Sequence, residues 1–398
     1  MQARTGALAA ALTLVPALAF AQWDEAALTQ RLIDIRELSR FVPDKALAEL
    51  RILQPQVADN SPATRAELLV QMSASRMRMG DNDEAVALAQ QVIDDGKRRN
   101  DDVVTAKGML AMAYALFTKA DIDGAHRMAF EAEKLAMRTS DAGLRTHATI
   151  TAGQTYSEQG NFPQALTTLQ RALDLSRTIR DDPAMHVAAL NALTVLYTQM
   201  KDYDKADEIL AELLAKTEKL DSPGRMALAK TAEYGLAIDS GQQERALQAL
   251  LRSLELERKL GAKRMIAETL VNLSDSYLKR RDYPRALQYG LEALRLAQFN
   301  GDESTVATAR MNLGQAYLAL GRIAEGKRQF EAGMLRYEQE NNKPDLQVVL
   351  HEYGEALERV DLQLHQLFAG EAGRAAVGVA VRVFFLDFFF VVVVVSGR

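Results

Sequence analysis

The sequence predicts an all-α fold, a right-handed superhelical solenoid of antiparallel helix pairs. Three observations predict it. One turn phrase returns about every forty residues, each phrase closes on a small residue, and the stretches between phrases carry apolar side chains at helical spacing.

The phrases are Gly80–Ala85, Ala120–Ala125, Gly160–Ala165, Lys201–Ala206, Gly241–Ala246, Arg281–Ala286 and Gly321–Gly326. Their closing residues lie 40, 40, 41, 40, 40 and 40 apart, and Ala46, in an earlier and weaker unit, precedes Ala85 by 39. Each phrase reads as the turn inside a helix pair. Gly or Asp tolerates the backbone angles of a helix end, and Asp, or Pro in a first turn, starts the next helix. The closing small residue, the anchor, lets two helix backbones approach.

The helix before each turn carries its own markers. Tyr156, Tyr197, Tyr277 and Tyr317 stand nine residues before their anchors, and Ser73, Ala113, Gly153, Ser274 and Gly314 stand twelve before. Ile266, Leu270, Leu273 and Tyr277 form one apolar face, and Leu287, Leu291 and Leu294 form the matching face after the turn. Between units, Lys97–Asp101, Arg138–Asp141, Arg177–Asp181 and Lys219–Pro223 share one order. Basic residues close a helix where its dipole is negative, and Asp, Asn or Ser caps the next. Two short turns subtracted from a forty-residue period leave roughly 17 residues per helix.

Composition agrees. Of 398 residues, 48% are hydrophobic and 25% charged, which is globular. An array grows by stacking, so this length does not call for separate cores. The net charge of −5 gives no expectation of nucleic acid, and lysine and arginine are interleaved with acids along the chain. Absence of cysteine excludes disulfides and thiol chemistry.

The two ends differ from the array at 22–360. Residues 1–21 read as a signal peptide: Arg4, an apolar run from Gly6 to Val15, Pro16, and Ala19-Phe20-Ala21 before cleavage. That predicts export to the periplasm, an oxidising compartment in which a cysteine-free chain avoids mispairing. A further first helix is expected from Leu346 to Arg359, but no anchor closes it. Residues 361–398 form an atypical apolar tail. Within it, 375–395 is long enough to span a bilayer, although Arg382 and Asp387 oppose this. A frameshifted end is the alternative reading of the tail.

The phrases and their period resemble tetratricopeptide repeats in a longer variant. His351–Arg359 is similar to late repeats in the periplasmic sensor region of bacterial repeat-containing diguanylate cyclases. That resemblance implies a non-catalytic sensor region of a membrane signalling protein. The cyclase motif Gly-Gly-Asp-Glu-Phe is absent, so cyclase activity would need a domain this chain lacks. A truncated cyclase and a free envelope-assembly scaffold are the alternatives.

No catalytic, metal or cofactor motif is found among the residues. In the resembled arrangement the first helix of each pair lines a concave groove. Positions fifteen, eleven, eight and seven before each anchor then face a partner. The candidates are Ile150, Gln154, Ser157 and Glu158, then Asn191, Thr198 and Gln199, then Thr231 and Asp239, then Asp275 and Lys279. Such a lining suits a protein, a peptide or a small polar ligand. The lysine–asparagine clamp that some such repeats use for a terminal carboxylate is missing from these positions. An uncapped last repeat also leaves room for a homo-oligomer.

Overall fold

The computed structural model describes residues 24–57, 60–179, 183–339 and 353–354. The leader at 1–21, most of the expected helix Leu346–Arg359 and the tail at 361–398 lie outside them. Among the described residues sixteen helices follow in eight pairs. They are α1 (Glu25–Phe41) with α2 (Pro43–Val57), α3 (Pro62–Arg78) with α4 (Asn82–Arg99), and α5 (Asp102–Thr118) with α6 (Ile122–Met137). Next are α7 (Ala142–Glu158) with α8 (Phe162–Arg177), α9 (Pro183–Gln199) with α10 (Tyr203–Lys219), and α11 (Pro223–Asp239) with α12 (Gln243–Leu260). Last are α13 (Lys263–Lys279) with α14 (Tyr283–Asn300), and α15 (Glu303–Ala319) with α16 (Ile323–Gln339). No described helix is long and apolar enough to cross a membrane.

The turn phrases do what their residues predict. The first residue of each phrase has a left-handed backbone: φ is 85° at Gly80, 73° at Gly160, 77° at Gly241 and 72° at Gly321. In all seven turns the following N–H donates to the carbonyl nine residues before the anchor, at 2.7–3.0 Å, closing the helix end. Asp121, Asp202 and Asp282 then cap the second helix by accepting from the N–H three residues on. Ala120, Lys201 and Arg281 hold the same backbone at φ 60° with a side chain, which costs energy that glycine would not incur. We expect Ala120→Gly, Lys201→Gly and Arg281→Gly each to stabilise by ~0.5–1 kcal/mol, read as a stepwise rise in Tm as they are combined.

Small residues sit where helices cross. All seven alanine anchors are at most 1% exposed. Ser73 and Ser274, twelve before their anchors, donate to the carbonyls of Ala85 and Ala286, each at 2.8 Å. In the same position a β-carbon on Gly153 would lie 2.6 Å from Leu169 Cδ2, and one on Gly314 would lie 2.5 Å from Phe330 Cδ2. The repeat is therefore fixed by close backbone approach as well as by apolar burial.

The chain forms two compact units, 1–266 and 267–398. In the second, Phe330 is fully buried against Gly314, and Tyr353 stacks on it with ring centroids 4.6 Å apart. In the first unit, Leu190, Leu193, Leu196, Leu210 and Leu213 are at most 1% exposed and belong to one core spanning α7 to α11.

The first unit also coils back on its own beginning. Arg225, in the first turn of α11, donates to Glu37 of α1 from Nη2 at 2.6 Å and from Nε at 3.1 Å. Ser222 donates to the other Glu37 oxygen at 3.3 Å, and Phe41 covers Gly224. Arg264 donates to the Arg78 carbonyl at 2.7 Å, and Lys263 lies 3.6 Å from Asp44. These contacts form a seam between residues nearly two hundred positions apart.

Candidate functional site

The coil surrounds a partly open cavity of about 450 Å³ within the first unit. Its wall comes from the first helices of successive pairs. Two rows that repeat geometry turns inward, fifteen and eleven before the anchors, contribute Val70, Leu110, Ile150 and Asn191, and Ala74, Tyr114 and Gln154. Three of the expected groove residues, Ile150, Gln154 and Asn191, therefore meet in one cavity. Asn191 Oδ1 is buried and has no hydrogen-bond partner among the described residues.

The other expected residues lie elsewhere. Ser157 is buried and donates to Gln199 Oε1, and Glu158 is exposed. Thr198 is buried and donates to Thr194 of its own helix at 2.8 Å. Thr231 is exposed and donates to the Ala227 carbonyl at 3.1 Å, and Asp239 is exposed. Asp275 and Lys279, in the second unit, pair with each other at 2.7 Å.

A third inward row, eighteen before the anchors, was not singled out in the sequence. It carries Glu67, Lys107 and His147 in consecutive units. A polar residue recurring there three times running was the available signal. Arg36, Glu37 and Arg40 of α1, Arg78 of α3 and Arg225 of α11 complete the polar lining. With Asp141, five cations face three carboxylates, which leaves an excess of positive charge around the cavity.

Most of these charges are matched. Glu67 binds Lys107 at 2.9 Å, Arg36 at 3.0 Å and Gln71 at 3.1 Å. Burial opposes its ionisation, yet Lys107 and Arg36 overcome this and hold its carboxyl at about 2. Glu37 binds Arg225. Burial pushes the Arg78 guanidinium down to about 10, and Arg40 and Arg264 add to the shift. Arg40 is likewise lowered, first by burial and then by Arg225. Arg40 is exposed and Arg78 half-buried, and both line the cavity.

His147 shares a 3.3 Å hydrogen bond with Tyr114 Oη and stacks on that ring at 5.9 Å. Tyr114 Oη also meets Thr151 Oγ1 at 3.1 Å. Burial, then Arg40 and Arg36, push the imidazole from 6.5 down to about 4, with Glu67 opposing. A depressed histidine means that the unfolded chain takes up the proton first. Stability from this group is complete above pH 6.5 and is lost as pH falls through the window down to about 4. We expect Tm to fall across that window and His147→Gln to flatten the slope, as read by thermal melts at stepped pH. Glu67 acts lower, between 4.5 and about 2, so the two are separable.

Among the described residues no group of three or more His, Asp or Glu side chains could hold a metal ion. The arrangement offers guanidinium donors, amides and one neutral histidine around the cavity.

Models of the tetratricopeptide repeat match residues 145–219, 266–298 and 306–345. No curated protein sequence is similar enough to count as a relative. Several solved structures share the fold. The Rap protein complexed with competence and sporulation factor is 12% identical, with a TM-score of 0.56, over 84% of this chain and 99% of that one. The Cut9–Hcn1 hetero-tetramer of APC/C gives 16% and 0.58, over 84% of this chain and 56% of that one. A signal transduction ATPase with a tetratricopeptide repeat sensor, from Pyrococcus horikoshii, gives 16% and 0.52 over 83% and 47%. The matched residues carry tetratricopeptide repeats, and the described part of the chain has the all-helical, paired-helix fold of that solenoid class.

Proposed function

We propose that this chain is a non-catalytic binding scaffold whose first unit receives an extended peptide in its cavity. One observation carries the reading. Gln154 and Asn191, an amide pair on adjacent inner helices, line a cavity of about 450 Å³, and Asn191 has a buried acceptor with nothing to bind. A buried carbonyl oxygen without a donor is costly, and a peptide N–H would satisfy it. The volume falls in the range of small-ligand sites, so it admits the end of a chain and not a folded domain.

Peptides selected from a random display library against the purified chain provide the test. Their affinity should fall about tenfold or more in Gln154→Ala and Asn191→Ala. Peptides that bind both variants as well as the parent would overturn the reading.

The sensor role in membrane signalling adds two segments. Residues 1–21 supply the export signal, and 375–395 supply an apolar stretch of membrane length. The whole is a periplasmic recognition module attached to the inner membrane. Alkaline phosphatase fused after the leader should be active in a bacterial host. An inactive fusion would remove the periplasmic assignment and leave the binding role untouched.

A further inference from the structure

Most cations lining the cavity have a carboxylate. Arg36 and Lys107 share Glu67, and Arg225 has Glu37. Arg40 and Arg78 do not: among the described residues no carboxylate lies within ion-pair distance of either. Arg78 donates only a 3.3 Å bond to the Ala74 carbonyl of its own helix, and Arg40 only lies near the Phe41 ring at 5.9 Å. Both line the same cavity. Two like charges lining one cavity, each without a carboxylate, repel one another, and an anion bound there would relieve the repulsion.

We infer that the Arg40–Arg78 side of the cavity is an oxyanion site that takes a carboxylate of a bound acidic peptide. This deepens the peptide-binding reading above and rests on it. Several features favour a carboxylate here. A guanidinium presents a planar fork matched to two oxygens, and two such forks can hold both oxygens of one group. Tyr114, in the row eleven before the anchors, offers a hydroxyl on the same cavity wall. The amides of Gln154 and Asn191 stand on the next helices, placed for the backbone that follows the carboxylate. A cavity of about 450 Å³ is too small for a nucleic-acid duplex, which presents its anions along an extended rod.

A structural role and a binding role predict opposite effects of neutralisation. If the two arginines served only the fold, removing them would destabilise it. As an unfilled oxyanion site, their neutralisation relieves repulsion, so Arg40→Gln and Arg78→Gln should melt at or above the parent without ligand.

The probes are tetraglutamate, tetraglutamine and inorganic phosphate, added to the full chain and followed by thermal melts and calorimetry. Tetraglutamate should raise Tm and bind at least about tenfold more weakly to either variant. Its affinity for the parent should fall with added sodium chloride, a readout that needs no variant. Phosphate should bind more weakly at the same place, lost in the same variants. Equal binding of tetraglutamine would overturn the oxyanion site while sparing the peptide groove. Binding of phosphate without tetraglutamate would assign the site to a free anion and overturn the peptide carboxylate. Unchanged tetraglutamate binding in the double variant, or none to the parent, would also overturn it.

Discussion

Gly108→Leu should cost about 3 kcal/mol or more. A β-carbon on Gly108 would stand 2.8 Å from the backbone nitrogen of Ile93, 2.9 Å from Ile93 Cγ1 and 3.0 Å from Val92 Cγ1. The obstacle is α4's own backbone, which no rotamer change can move. To admit the side chain, α4 and α5 must separate and give up the burial of Ala89, Ile93 and Leu110. Urea denaturation should show the loss, and amide exchange should accelerate first in α4 and α5, because each pair contacts only its neighbours. Gly235→Ala is the matched control. Nothing lies within 4 Å of its β-carbon position in the interior of α11, so alanine should stabilise by ~0.5–1 kcal/mol.

Arg225→Ala should cost about 2–3 kcal/mol and release the seam. The arginine side chain is 10% exposed and donates to Glu37 through Nη2 and Nε, and to the Ala184 carbonyl through Nη1 at 3.3 Å. Glu37 is 44% exposed, so water can take over part of its solvation once the arginine is gone, which keeps the cost below that of a fully buried pair. The effect should be local in an informative way. Exchange should rise in α1 and the start of α11, which the seam joins, while α7 and α8 keep their protection. A ligand held in the cavity should bind more weakly to this variant, since α1 supplies Arg36 and Arg40 to the wall.

The fold was legible because its information is local and repeated. Each anchor, each left-handed turn and each Asp cap acts over a few residues, and the period of about 40 restates the same instruction seven times. Serines 73 and 274 show how far this reaches. Their place twelve before the anchor marked a helix crossing, and their hydroxyls bind the anchor's carbonyl.

The cavity was legible only in part. The inward rows follow from the repeat, and Ile150, Gln154 and Asn191 of those rows line one cavity. The charges did not follow, because their meeting depends on the rotation accumulated over five pairs. In the chain Arg40, Arg78, Lys107 and Arg225 are scattered among acids and read as solvated faces. Only the closing of the coil turns that dispersed set into a cluster. Arg225 is the clearest case: it sits beside a capping serine like any first-turn residue, and nothing nearby announces a partner 188 positions away.

The closure of the first unit can be tested most directly with a disulfide, since the chain contains no cysteine of its own. A β-carbon on Gly224 would lie 2.8 Å from Phe41 Cγ, which places the two β-carbons within disulfide reach. Phe41→Cys with Gly224→Cys should therefore cross-link rapidly under mild oxidation and protect α1 from exchange. Gly153→Cys with Leu169→Cys, at the same spacing inside one helix pair, sets the rate for a genuine contact. If the control pair oxidises while the 41–224 pair stays reduced, the coil is open, and the cavity and its cationic wall do not exist as described.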